Sequence, residues 1–307
     1  MEYTGNHNHK QKSIVECPDN FALIIGAMKS GTTSLFDILS QHPQICPSKT
    51  KEPDYFIKDR DDNDRENYLS LWDWKGDSHV VALESSVAYT KSPFITGVPE
   101  RIKKSGLGRF KFIYMLREPL SRIESQARHA LFAGWGQSLD TEISNDLIDF
   151  SRYAMQVDDY LKYFPKHELI LITLEEFKSN PHEILKRICV FLEVDKEFRF
   201  SNVAEPRNSG EFFNASPVVA QVTQRGVGKF IAQKILSTKV KAWIRTIIIK
   251  LSKAKKKSSK LGRWKLNSNE EELIFRKLAD DLKRLESEFG VDVRRFWNVP
   301  SKYLDRD

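Results

Sequence analysis

The chain has 307 residues, 40% of them hydrophobic, and its 49 Lys and Arg against 42 Asp and Glu give a formal charge of +7. That is enough length for one large or two modest domains and enough apolar content for a sizeable core, which excludes a disordered chain. No apolar run approaches the roughly 18–20 residues that span a bilayer, and three scattered cysteines (Cys17, Cys46 and Cys189) exclude a disulfide framework or a zinc site.

Residues 1–20 are polar and lack the apolar stretch of a secretory signal, so they read as a flexible leader. A reduced, cytoplasmic setting is the expectation. Phe21–Ile25 (FALII) is a short apolar run that fits a buried strand. Gly26–Gly31 is a loop, and Thr32–Gln41 reads as a helix ended by Pro43 and Pro47. Val80–Leu83 and Phe110–Leu116 are further strands. Pro119 to about Phe132 reads as a helix, with proline early, where its missing N–H costs little. Leu169–Thr173 (LILIT) is another buried strand, and Pro181–Leu192 carries apolar residues at helical spacing. Asn269–Phe289 is a long charged helix with Leu273, Ile274, Leu278, Leu282, Leu285 and Phe289 along one side. Strands interleaved with helices, without an internal repeat, predict an α/β fold with a central parallel sheet flanked by helices.

The charge is unevenly spread. Phe212–Asn269 holds 14 Lys and Arg and no Asp or Glu in 58 residues, so the rest of the chain is mildly acidic, at −7. Within the basic segment, Lys229–Ser252 alternates apolar residues with lysines as an amphipathic helix does. Three readings stay open: an insert packed on the sheet domain, a helix lying on an anionic membrane surface, or a docking strip for an anionic acceptor. Nucleic acid is not expected, because no recognition fold accompanies the charge.

The segment FALII-GAMKSGTT-SLF joins a strand, a glycine loop and a helix start. Such a loop gathers backbone N–H groups around one spot and is suited to an anion. Gly26 and Gly31 have the GxxxxG spacing of a P-loop, but Thr32 and Thr33 follow where a nucleotide-hydrolysing loop has Lys and Ser/Thr. The lysine sits inside the loop, at Lys29. From spacing alone, a plain glycine turn before a helix remains the alternative.

GAMKSGTTSL resembles the 5′-phosphosulfate loop of sulfotransferases that use 3′-phosphoadenosine-5′-phosphosulfate (PAPS). The resemblance implies that Lys29 contacts the 5′-phosphate and the sulfuryl group, with Ser30, Gly31, Thr32, Thr33 and Ser34 completing the cradle. KFIYMLREPLSRIESQARHA resembles the family's 3′-phosphate segment, a strand ending in Arg117 followed by a helix with Ser125. Tyr160–Val194 is similar to the helix–strand–helix that follows, including Glu175 and Glu176. Leu278–Trp297 is similar to the closing helix and terminal Trp. The likeness spans about Phe21–Trp297. It implies a P-loop-like three-layer fold in one domain over 21–300, with a basic helical insert at about 217–266.

Transfer to an alcohol needs a base. TKEPDYF matches a K-E-x-H-F-F-like segment of the glycan-modifying branch at Lys51, Glu52, Tyr55 and Phe56, and Asp54 stands where that branch often has His. The resemblance makes Glu52 the base. Glu84, in LESSVAY, is the second candidate; it matches an E-K-[ST]-x-x-Y segment whose Lys is replaced here by Ser85. His42, His79 and His129 read as structural or exposed. PRNSGEFFNAS falls where the family places a loop closing over the nucleotide and acceptor, which implies that Arg207, with Asn208 and Ser209, contacts the 3′-phosphate or the acceptor; a loop without a role is the equal alternative.

The implied function is in-line transfer of the sulfuryl group of PAPS, without a metal, to a hydroxyl, or less readily an amine. The acceptor would be a glycan, glycolipid or other hydroxylated molecule, and residues 229–260 would allow peripheral attachment to an anionic membrane. The alternative of another class is a P-loop nucleotide-binding or kinase-like protein tethered to membrane or polyanion by its basic helix.

Overall fold

The computed structural model describes residues 17–60, 64–132, 145–203 and 265–305. Most of the 1–20 leader, the loop with Arg207, and all but the last two residues of the 217–266 insert fall outside them. The leader's end is already in the fold: Asp19 accepts a hydrogen bond from Arg109 N at 2.8 Å, and Asn20 opens the first strand.

Among the described residues, five strands form one parallel sheet: β1 (Asn20–Gly26), β2 (Ile45–Pro47), β3 (Val81–Ser85), β4 (Arg109–Leu116) and β5 (Leu169–Thr173), in the order β2-β3-β1-β4-β5. The helices are α1 (Thr32–Leu39), α2 (Asp64–Leu69), α3 (Val98–Lys104), α4 (Pro119–Phe132), α5 (Asn145–Asp149), α6 (Tyr153–Leu161), α7 (Leu174–Ser179), α8 (Pro181–Leu192), α9 (Ser268–Ser287) and α10 (Val293–Phe296). The sequence-based reading placed β1, β4 and β5, and α1, α4, α8 and α9, to within two residues. It missed the short edge strand β2, and it ended β3 before Glu84.

Strand side chains alternate between two cores. Phe21, Leu23 and Ile25 of β1, with Phe110, Phe112 and Tyr114 of β4, join Ile123 of α4 and the buried face of α9 (Ile274, Leu278, Leu282 and Leu285). Ala22 and Ile24, with Ile113 and Met115, join α1 (Leu35, Ile38, Leu39) and α8 (Ile184, Leu185, Ile188) on the opposite face. A sheet covered on both faces accounts for strands that read as continuous apolar runs. It also fixes where a ligand can enter. β1 feeds α1 on one face, its neighbour β4 feeds α4 on the other, and a crevice opens between their C-terminal ends. This is the topological switch point at which open parallel sheets bind ligands.

Candidate active site at the strand ends

The loop leaving β1 is tied to β4 by Ala27 N, which donates to Met115 O at 2.6 Å, and closed on itself by Ser30 N to Ala27 O at 3.1 Å. Gly26 is needed because a Cβ there would lie 2.0 Å from Thr90 Oγ1. Gly31 starts α1 in the left-handed region at φ 85°, where glycine carries no steric penalty. The first intrahelical bond is Leu35 N to Gly31 O, and no side chain caps the helix start. The N–H groups of Thr32, Thr33 and Ser34 therefore lack an intrahelical partner. Ser30 is fully buried, and its hydroxyl has no hydrogen-bond partner among the described residues. A buried orphan hydroxyl beside uncapped N–H groups fits an oxyanion.

Cations converge on this cradle. Lys29 sits in the loop with φ 71°. Burial, then the Arg117 and Arg128 guanidiniums, hold its ammonium below the ordinary lysine range, while Glu52 pulls the other way. Arg117, at the end of β4, donates from Nη1 to Lys29 O at 2.9 Å, and burial pushes its guanidinium down against the pull of Glu175. Its own carbonyl accepts from the Tyr153 hydroxyl at 2.7 Å. Glu118 caps α4, accepting from Leu120 N at 3.0 Å and Ser121 N at 2.7 Å. Glu175 accepts from Glu118 N at 3.2 Å and Trp297 Nε1 at 2.9 Å, so the terminal tryptophan braces the β4–α4 turn. Ser125 lies one helical turn beyond Ser121, with its side chain partly exposed.

The two candidate carboxylates have different surroundings. Glu84 on β3 is 0% exposed, and both its oxygens are taken: Tyr68 donates to Oε2 at 2.6 Å, and Ser86 and Tyr89 donate to Oε1 at 2.8 and 2.7 Å. Those two hydroxyls in turn accept from Asp54 N at 3.1 Å and Phe56 N at 3.3 Å, while Glu52 N donates to Ser85 O at 2.8 Å. Alternate residues 52, 54 and 56 are thus zipped onto the segment 85–89, and Glu84 is the hub behind the zip. Burial pushes the Glu84 carboxyl up, and its three hydroxyl donors pull it down. Glu52 itself is 42% exposed at its side chain and pairs with Lys51 Nζ at 2.7 Å. Its charge is felt at Lys29, Asp54, Lys91 and His129.

Three of those four neighbours were not assigned to the site from sequence. Burial, then Glu52, push the half-buried Asp54 carboxyl up. His129 stands four residues after Ser125 on the same face of α4; burial and then Lys29 hold its imidazole down, against Glu52. That four-residue spacing was the available signal. His42 and His79 are structural, as read. His42 Nε2 bonds Asp195 O at 2.9 Å and its Nδ1 accepts from Gln44 N at 3.1 Å, while His79 Nδ1 accepts from Lys75 N at 3.0 Å. Among the described residues no group of three or more His, Cys, Asp or Glu side chains gathers as metal ligands would.

A family model described as a sulfotransferase domain matches residues 19–254. Heparan sulfate glucosamine 3-O-sulfotransferase 3A1 of Mus musculus is 27% identical over 201 residues, which cover 59% of this chain and 48% of the relative. Carbohydrate sulfotransferase 15 of Homo sapiens is 24% identical over 260 residues, covering 61% and 46%. The chain spans about half the length of these curated relatives. A crystal structure of a sulfotransferase from Alicyclobacillus acidocaldarius shares the fold, with a TM-score of 0.61 at 20% identity over 92% of this chain and 99% of that one.

Proposed function

The chain belongs to the sulfotransferase family, and we propose that it transfers the sulfuryl group of PAPS to a hydroxyl of a carbohydrate acceptor. The observation that supports this most is the convergence of the buried cations Lys29 and Arg117 on a glycine cradle with a buried orphan hydroxyl; Arg128, 3.7 Å from Glu124 and partly exposed, adds its charge from the rim. Gathering like charges out of water is unfavourable, and an anion with several charges offsets it. PAPS supplies an activated sulfuryl group and two further anionic centres.

In this reading Lys29, Ser30 and the N–H groups of Thr32, Thr33 and Ser34 hold the 5′ end, and Arg117 and Ser125 hold the 3′-phosphate. Glu52 takes the proton as the acceptor oxygen forms its bond to sulfur. The sulfur–oxygen bond to the 5′-phosphate breaks, and Lys29 stabilises the charge on the departing adenosine 3′,5′-bisphosphate. Glu84 holds the loop that carries Glu52. Oriented charges and fixed positions supply the catalysis. The carbohydrate class of the acceptor is supported by the heparan sulfate and carbohydrate sulfotransferases among the relatives.

Thermal shifts with adenosine 3′,5′-bisphosphate and with ATP–Mg²⁺ test the cradle, and labelled-sulfate transfer from PAPS across a glycan and glycolipid panel tests the reaction. A larger shift with the bisphosphate, together with transfer to a glycan, is expected. Preference for ATP–Mg²⁺ would overturn this reading in favour of a kinase-like protein.

A further inference from the structure

Lys91 belongs to neither the cradle nor the candidate base, yet it feels the charges of Glu52 and Asp54. It ends the one-turn helix Val87–Thr90 that follows β3. The backbone beyond it is fixed. Lys91 O accepts from Ile95 N at 2.8 Å, and the buried Gln156 side chain clamps Ser92 from both sides, accepting from Ser92 N at 3.1 Å and donating to Ser92 O at 2.7 Å. The Lys91 ammonium lies 5.8 Å from the Phe150 ring centre, and Phe94, 70% exposed, lies 6.5 Å from the same ring. One clamped segment therefore carries a half-buried cation and an exposed aromatic ring, three residues apart and both in contact with Phe150.

Among the described residues, Lys91 makes no ion pair within 4.0 Å. Burial holds its ammonium below the ordinary lysine range against the attraction of Asp54 and Glu52, with a further push down from the Arg122 guanidinium. A cation that two nearby carboxylates do not compensate gains from a further anion brought by a ligand. A single exposed aromatic ring is ordinary on any surface. Joined to this cation, which feels the charge of Glu52, it has the make-up of a saccharide subsite, with an apolar ring for the sugar and a charge for a substituent.

We infer that Lys91 is the anion-binding residue of the acceptor subsite: the acceptor is a saccharide bearing a carboxylate or sulfate, which the Lys91 ammonium holds while the sugar ring rests on Phe94. The inference rests on the sulfotransferase reading for the identity of this crevice, and it assigns Lys91 a role in acceptor choice rather than in proton transfer.

The test measures binding of three probes by calorimetry in the presence of adenosine 3′,5′-bisphosphate: 4-nitrophenyl β-glucoside, its 6-sulfate, and 4-nitrophenyl β-glucuronide. The wild type is expected to bind one or both anionic probes about tenfold tighter than the glucoside, the worth of one charge-assisted contact. Which anionic probe gains tells carboxylate from sulfate. Lys91→Ala and Lys91→Gln bring the anionic probes down to the level of the glucoside, and Lys91→Arg restores the difference. The bisphosphate thermal shift of each variant reports its folding. Equal or undetectable binding of all three probes by the wild type, or an equal loss on all three in Lys91→Ala, overturns the inference. No PAPS is present, so this result is independent of turnover. Failure of the sulfotransferase reading shows separately, as absence of a bisphosphate shift in the wild type.

Discussion

On the seam between α6 and α9, Arg284 lies between two carboxylates: Asp158 at 2.7 and 2.9 Å and Glu288 at 2.8 and 2.9 Å. Its hydrogen bonds to the Asp158 and Glu288 carboxylates raise its hold on its proton, in spite of some burial. At the strand ends, Arg117 donates to a backbone carbonyl, has no carboxylate within 4.0 Å among the described residues, and is pushed down by burial. The same side chain is neutralised within the protein in one place and left uncompensated in the other. Proteins tolerate converging desolvated cations where something from outside completes them. The contrast separates cations of the fold from cations of the site, and each prediction below tests where that line falls.

The largest effect is expected at the carboxylate that faces these cations. Glu52→Gln should cut transfer by about 10²–10⁴-fold, the usual contribution of a general base, with the bisphosphate thermal shift intact. Glu84→Gln should act on stability. It places an amide among three hydroxyls that all donate to the present carboxylate, at a cost of about 1–3 kcal/mol, read as a lower Tm. An active Glu52→Gln beside a stable but inactive Glu84→Gln would reverse the two roles. Next in size is Lys29→Ala, expected to lower kcat by about 10²–10³-fold and to shrink the bisphosphate shift, as loss of a charge stabiliser does. Turnover within a few-fold of wild type would move Lys29 to the side of the fold.

How much of this was legible beforehand depended on the range of the interaction. Strands β1, β4 and β5 were visible because a sheet covered on both faces needs unbroken apolar runs such as FALII and LILIT. The cradle was visible because glycine spacing is local. Glu84 was not legible: a carboxylate in a strand looks the same whether it faces solvent or three hydroxyls from residues 68, 86 and 89. Its burial follows from β3 running between β1 and β2, a fact of topology. The coupling of Lys91 and His129 to Glu52, 39 and 77 positions away in the chain, is likewise a product of topology; only His129 had a local sign, its spacing from Ser125.

Arg117→Ala should weaken bisphosphate binding by about 10–100-fold, the worth of one hydrogen bond to a charged group. Binding that stays within twofold would leave Arg117 as a brace for the Lys29 loop. The pH dependence sharpens the same point. Lys29 in the free protein holds its proton less firmly than an ordinary lysine, and a bound anion reverses that, so binding takes up a proton once Lys29 has begun to deprotonate. Bisphosphate affinity should therefore fall as pH rises through the lowered Lys29 value. The slope is at most about tenfold per pH unit for one proton, and it sets in below the pH expected for an exposed lysine. Lys29→Arg, which keeps its charge, should flatten the fall; titrations from neutral pH upward read it.

The smallest effect belongs to the other side of the comparison. Arg284→Ala removes an arginine whose side chain is 39% exposed and whose partners Asp158 and Glu288 are 38% and 48% exposed. Water screens all three, so the pair is worth roughly 0.5–1 kcal/mol and not the larger figure its two-pronged geometry suggests. The variant should lose a little Tm, lose less of it at high salt, and keep both bisphosphate binding and transfer. Arg284 and Arg117 differ in whether a carboxylate of the chain reaches them, not in chemistry, so their variants should divide cleanly: stability without binding for one, binding with little stability for the other. A drop in bisphosphate affinity for Arg284→Ala as large as that for Arg117→Ala would mean that α9 is coupled to the cradle, through Trp297 and Glu175, more tightly than their one hydrogen bond of 2.9 Å implies.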